Sequence, residues 1–174
     1  MSILWKQRSL KKTLFIGGIK SGKSLNAQNY ILALSSEKPI YLATTEFVDS
    51  EMQERIDAHK QSRSDDFKTI EEPIKLYNII SKCNNAVLVE CVSTWINNML
   101  YHGFTFADMK EELEKILELD KTVVFVLNDV GSGVIPENAL AREFVDISGK
   151  LSQLIASKCD EVYHTIAGIS TRIK

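Results

Sequence analysis

The chain has 174 residues, 44% of them hydrophobic and 25% charged. Those proportions fit one globular domain and exclude a disordered tail, a collagen-like repeat and a low-complexity linker. With 21 basic and 23 acidic residues the formal charge is −2, so no basic surplus points to nucleic acid or an anionic membrane.

In chain order, residues 13–16 form a short apolar run that reads as a buried strand ended by Gly17 and Gly18. Residues 25–34 then carry helical spacing. A second strand run covers 39–43, and helical patterns cover 49–63 and 74–82. A third strand run covers 86–89, with helices over 95–100 and 107–119. A fourth run covers 122–127, a helix 137–158, and a weaker fifth strand 161–165. Continuous apolar runs rich in β-branched residues suit strands covered on both faces. Strands alternating with helices predict an α/β fold of three layers around a mainly parallel sheet. In such sheets ligands bind beyond the carboxyl ends of the strands, so the residues just after each run deserve the closest reading.

Cys83, Cys91 and Cys159 are too few and too scattered for a disulfide framework, and none pairs at C-x-x-C spacing for zinc. Free thiols in a reducing compartment are the reading that follows. No apolar run approaches the roughly 18 residues of a membrane span. The basic start leads into only a short apolar stretch, unlike a signal peptide, so a cytoplasmic protein is expected.

Directly after the first strand run stand Gly17, Gly18, Ile19, Lys20, Ser21, Gly22, Lys23 and Ser24. They fit G-x-x-x-x-G-K-[ST] with a strand before and a helix after. Glycines let backbone N–H groups turn inward around an anion, and the helix beginning near Lys23 adds its positive dipole end. Lys23 can reach the outer phosphates, and the Ser24 hydroxyl can ligate Mg²⁺. The metal also calls for a carboxylate at the end of another buried strand. Glu90 and Asp129 both qualify, and Glu90, directly after four apolar residues, better resembles a Walker B strand. Asp129 belongs to a glycine-containing loop that could instead contact substrate.

Arg55, His59 and Arg63 recur at intervals of four, which places them on one helix face. Two guanidiniums suit a polyphosphate, and their charge lowers the imidazole pKa, keeping it neutral and nucleophilic. Such a histidine could attack phosphorus and split a transfer into two steps. An exposed helix with an incidental histidine is the plain alternative. His102 and His164 have no comparable company and read as structural.

Taken in order, these residues resemble the bifunctional adenosylcobinamide kinase/adenosylcobinamide-phosphate guanylyltransferase family of cobalamin biosynthesis. The resemblance runs from the phosphate loop, with Lys20 in place of a usual Arg, through Tyr41 to Thr45 and Asp49 to Met52. It continues through Arg55, Ile56, His59 and Arg63, then Thr69 and Glu71. Glu90, Cys91, Thr94, Trp95, Asn97 and Asn98 follow, and then Asn128 to Gly131, Gly133, Pro136 and Glu137, with Asp129 in place of a usual Glu.

The resemblance implies a P-loop NTPase fold with a RecA-like sheet, assembly as a homotrimer, and His59 as the guanylylated nucleophile. It implies guanine-nucleotide contacts from the loop, from Ala43, Thr44 and Thr45, from Lys60, Gln61, Ser62 and Arg63, and from Glu71 and Glu90. ATP and GTP are the implied substrates besides adenosylcobinamide, with Mg²⁺ held by Ser24 and Glu90. Departures fall at Val145, Ser152 and Ser170, the last where a Pro is usual. Residues 1–12 have no counterpart and read as a flexible extension before a single domain over 13–174. A P-loop kinase of another metabolite and a RecA-like ATP-driven interaction module are the competing functional readings.

Overall fold

A computed structural model describes residues 10–46 and 65–174 of the chain. Among these residues the strands are β1 (Lys12–Gly17), β2 (Ile40–Ala43), β3 (Lys68–Glu71), β4 (Val87–Glu90), β5 (Val123–Asn128), β6 (Glu161–Ile166) and β7 (Ile169–Arg172). The helices are α1 (Lys23–Leu34), α2 (Leu76–Ile80), α3 (Val92–Tyr101), α4 (Phe106–Glu118) and α5 (Ala139–Lys158).

All strands join one sheet in the order β3-β2-β4-β5-β1-β6-β7. Every pairing is parallel except that of β6 with β7. The most apolar runs lie centrally: Val87, Leu88 and Val89 of β4 and Val123 to Leu127 of β5 are all 0% exposed. Alternate residues feed two cores. On one face Leu14, Leu42, Val89 and Phe125 meet Trp95, Met109, Leu113, Leu151 and Ile155 from α3, α4 and α5. On the other, Phe15, Tyr41, Leu88, Val124 and Val126 meet Ala27 and Ile31 of α1. Each fully buried side chain of this size stabilises by about 1.5–3 kcal/mol relative to exposure. The three-layer α/β architecture is therefore as the sequence predicts.

Two strands escape the apolar pattern. In β3, Lys68, Thr69 and Glu71 are exposed and only Ile70 packs inward, as an edge strand allows. The last strand, β7, returns from β6 through Ala167 and Gly168, both at positive φ (50° and 82°), the signature of a tight hairpin turn. The helix expected over 74–82 is regular only from Leu76 to Ile80. The helix expected over 49–63 lies outside the described residues.

The strand that opens the sheet starts at Lys12, one residue inside the expected extension. Lys12 is 8% exposed, and its ammonium donates to the carbonyls of Leu119 and Lys121, both at 2.6 Å. Burial lowers its pKa, opposed by the charge of Asp160. Its neighbour Lys11 donates to Glu161 Oε1 at 2.7 Å. These lysines tie the start of the sheet to β6 and to the loop before β5.

Candidate active site

Parallel register sets the carboxyl ends of the central strands side by side. Gly17 of β1 aligns with Asn128 of β5 and Thr165 of β6, and Ala43 of β2 aligns with both Glu71 and Glu90. The phosphate loop, residues 43–45, Glu71, Glu90 and Asp129 thus share one edge of the sheet.

The loop between β1 and α1 has the backbone its glycines predict. Gly22 has φ 92°, and a Cβ on Gly17 would fall 2.4 Å from the Thr165 carbonyl oxygen. Lys20 also takes the left-handed region at φ 58°, at a cost of about 1–2 kcal/mol for a residue with a Cβ. Helices α3, α4 and α5 each begin with a side chain closing their first amides: Cys91, Thr105 and Asn138. Helix α1 has Gly22 there and no side-chain cap. Helix α2 likewise has no side-chain cap, at Lys75; the free first-turn amides of α1 are of the kind that can bind an anion.

Lys23 is 6% exposed and donates to the Gly18 carbonyl at 3.2 Å across the loop. One residue on, the Ser24 hydroxyl donates to Glu90 Oε1 at 2.7 Å. The two residues named from sequence as metal ligands, 66 positions apart, are thus in direct contact. Asp129 is engaged elsewhere. Its carboxylate accepts from Gly131 N at 3.2 Å and from the Ser132 hydroxyl at 2.5 Å, while its own N–H donates to the Gly17 carbonyl at 2.9 Å. It shapes its own loop against the end of β1.

Thr44 is fully buried, and its polar groups are all engaged within the protein. Its N–H donates to the Glu90 carbonyl at 3.1 Å. Its hydroxyl accepts from Cys91 N at 3.0 Å and faces the carbonyls of Cys91 and Glu90 at 2.9 and 3.2 Å. Its carbonyl accepts from Asn98 Nδ2 at 2.6 Å, and the same amide nitrogen reaches the Pro73 carbonyl at 3.1 Å. Thr44 therefore supports the Glu90 turn, whereas its sequence reading was as a nucleotide contact. Burial first, and then the Glu90 charge, push the Cys91 thiol up. Its sulfur accepts from Thr94 N at 3.4 Å as the cap of α3, a structural use of a free cysteine.

Of the remaining named residues, Ile19, Lys20 and Gly18 are exposed on the loop, Ser21 and Thr45 are half-buried, and Glu71 is exposed at the end of β3. Ala43 closes β2. His102 Nε2 lies 2.9 Å from Glu46 Oε1. Arg55, His59, Lys60, Gln61, Ser62 and Arg63 lie outside the described residues. Three polar residues in this region escaped functional reading: Asn26, whose amide reaches the β6–β7 turn, Asn98 as the clamp on Thr44, and Ser93, whose hydroxyl accepts from Asn128 N at 2.8 Å. Nothing local in sequence marks such long-range contacts.

The sequence pattern of the family described as cobinamide kinase / cobinamide phosphate guanyltransferase matches residues 13–173. The chain belongs to that family. It is 34% identical over 180 residues to the bifunctional adenosylcobalamin biosynthesis protein CobU of Escherichia coli K12, covering 92% of this chain and 98% of that one. It is also 34% identical over 169 residues to the Pseudomonas aeruginosa protein CobP, which bears the same bifunctional description, with 94% and 97% covered. A solved Pyrococcus horikoshii structure superposes with a TM-score of 0.53 at 13% identity, over 94% of this chain and 86% of that one, and shares the fold. The cobinamide kinase family thus spans the whole described site. No described helix is long and apolar enough to cross a membrane.

Proposed function

We propose that this protein phosphorylates adenosylcobinamide and then transfers GMP from GTP to the product. The observation that carries the reading is the contact of Ser24 with Glu90 beside Lys23 and the uncapped start of α1, in a chain of this family. In the first reaction the hydroxyl of the aminopropanol arm attacks the γ-phosphorus of a nucleoside triphosphate, the diphosphate leaves, and the hydroxyl proton is released. In the second, a ring nitrogen of His59 attacks the α-phosphorus of GTP. A P–N bond forms, the bond to the β-phosphate oxygen breaks, and pyrophosphate departs with the electron pair. A phosphate oxygen of adenosylcobinamide phosphate then displaces the imidazole to give adenosylcobinamide-GDP.

Lys23 and the loop amides hold the outer phosphates and balance the charge that develops there. The hard oxygens of Ser24 and Glu90, already 2.7 Å apart, fit Mg²⁺, which characteristically takes one or two protein ligands and completes its shell with phosphates and water. When bound, that ion neutralises phosphate charge. Arg55 and Arg63, with Lys60, Gln61 and Ser62, place the triphosphate beside His59, and Ala43, Thr45 and Glu71 complete the nucleotide contacts. A cytoplasmic homotrimer completes the proposal.

Intact mass after exposure to GTP tests the reading. An acid-labile increase of one GMP per chain is expected, and its absence in competent protein would refute the covalent step.

A further inference from the structure

The hairpin turn between β6 and β7 rests on the phosphate loop. Gly168 N donates to the Ser21 carbonyl at 2.7 Å, and a Cβ on Gly22 would fall 2.9 Å from Gly168 Cα. Backbone meets backbone there with no room for a side chain. A planar trans peptide points its C=O and N–H in opposite directions. Holding the Ser21 carbonyl toward the turn therefore turns the Gly22 N–H away from it.

One side chain locks the turn in place. Asn26, one helical turn into α1, donates through its amide to the Gly168 carbonyl at 2.9 Å and to the Ser170 hydroxyl at 2.8 Å. Its own N–H donates to the Gly22 carbonyl at 3.1 Å. The Ser170 hydroxyl also shares a hydrogen bond with Thr165 Oγ1, 2.8 Å away, and Thr165 is fully buried on β6. Ser170 thus completes a connection from β6 through the turn to α1.

We propose that the β6–β7 turn is the back wall of the phosphate-binding loop, and that Asn26 is a positioning residue for the β- and γ-phosphates, acting through Gly168 and the Ser21–Gly22 peptide. The proposal rests on the reading that this loop binds a nucleoside triphosphate.

The test is equilibrium binding of GTP, ATP and GMP to wild type, Asn26→Ala and Asn26→Asp, with melting temperature and both half-reactions on each. Asp keeps the shape of Asn but cannot donate. Both variants should bind GTP and ATP about tenfold more weakly, as two lost hydrogen bonds allow. KM should rise in both half-reactions, with kcat at saturating nucleotide within about twofold. Affinity for GMP, which lacks the outer phosphates, should be unchanged, and the melting temperature should fall by no more than a few degrees because these bonds lie near the surface. Wild-type affinity for GTP in both variants overturns the inference. So does parallel weakening of GTP and GMP with a large fall in melting temperature, which would make Asn26 merely structural. Wild-type protein that binds no triphosphate would overturn the reading of the loop itself.

Discussion

The Ser24 hydroxyl donates to Glu90 Oε1 across 2.7 Å, joining the first turn of α1 to the end of β4. Strand β5 lies between β1 and β4 in the sheet, so the contact spans two strand spacings at the carboxyl edge. Register makes this possible, because Val87 to Val89 pair with Val123 to Phe125, and Lys12 to Gly17 pair with Val123 to Asn128. The sequence favours Glu90 over Asp129 for the metal; in the structure Glu90 meets Ser24, and the Asp129 carboxylate closes its own loop on Gly131 and Ser132.

Glu90→Gln keeps the shape and removes the charge. Mg²⁺ affinity in the presence of GTP should fall about ten- to a hundredfold, with slower transfer in both half-reactions. Asp129→Asn should alter neither by more than about threefold, since its amide oxygen still accepts from the Gly131 N–H and its amide nitrogen can donate to the Ser132 hydroxyl oxygen. Titration of each activity with Mg²⁺ decides. Damage from Asp129→Asn with a silent Glu90→Gln would reverse the assignment.

Asn98→Ala tests the support beneath the site. The carboxamide is 1% exposed and serves the carbonyls of Thr44 and Pro73 together. Truncation leaves both carbonyls short of a donor in a dry interior and should cost roughly 2–4 kcal/mol. Asn98→Asp should cost more, because a carboxylate would face two carbonyl oxygens. Urea unfolding checks this through a lower midpoint at unchanged slope. A midpoint equal to wild type for Asn98→Ala would remove the clamp from the account.

Acid stability should depend on Glu161. Its carboxyl is pulled down to about 2 by Lys11, with the Tyr30 hydroxyl the next contributor at 2.6 Å. A folded value below the ordinary 4.5 means that the stabilisation is complete above that value and is lost as pH falls toward 2. Glu161→Gln should lower stability at neutral pH by on the order of 2 kcal/mol and flatten the acid limb of the stability curve. Denaturant midpoints measured from about pH 6 down to about pH 2.5 would show the two curves converging. Parallel curves would mean that Glu161 does not carry this part of the acid limb.

Sequence reading worked where burial is two-sided. Strands β4 and β5 lie inside the sheet, so their apolar runs have no polar interruption. It missed β3 because an edge strand needs only Ile70 inside, and β7 because its pairing depends on the turn at Ala167 and Gly168. The phosphate loop was legible because phosphate binding fixes glycine, lysine and hydroxyl at set spacing. Asn98 was visible only as a motif residue: its acceptors are 54 and 25 positions away, and no periodicity encodes that. The inward bonds of Thr44 to the Glu90–Cys91 turn carry no local signal either. The Asn26 link to Gly168 and Ser170 joins α1 to a hairpin more than 140 residues later, beyond any local pattern.

The sharpest prediction concerns His59, which lies outside the described residues and whose role rests on the sequence and the family. His59→Ala should abolish both the protein–GMP adduct and GMP transfer, since Arg55 and Arg63 on the same predicted face carry no nucleophile. Phosphorylation of adenosylcobinamide should largely persist, because direct phosphoryl transfer between bound partners depends on positioning and charge stabilisation without a covalent step. Arg55→Ala should slow guanylylation by a graded amount, as it removes charge and leaves the attacking atom. Lys23→Ala should instead damage both reactions, since both draw on the same phosphate loop. Each half-reaction is assayed on every variant alongside adduct mass. GMP transfer by His59→Ala at the wild-type rate would show that the second reaction proceeds without the histidine intermediate.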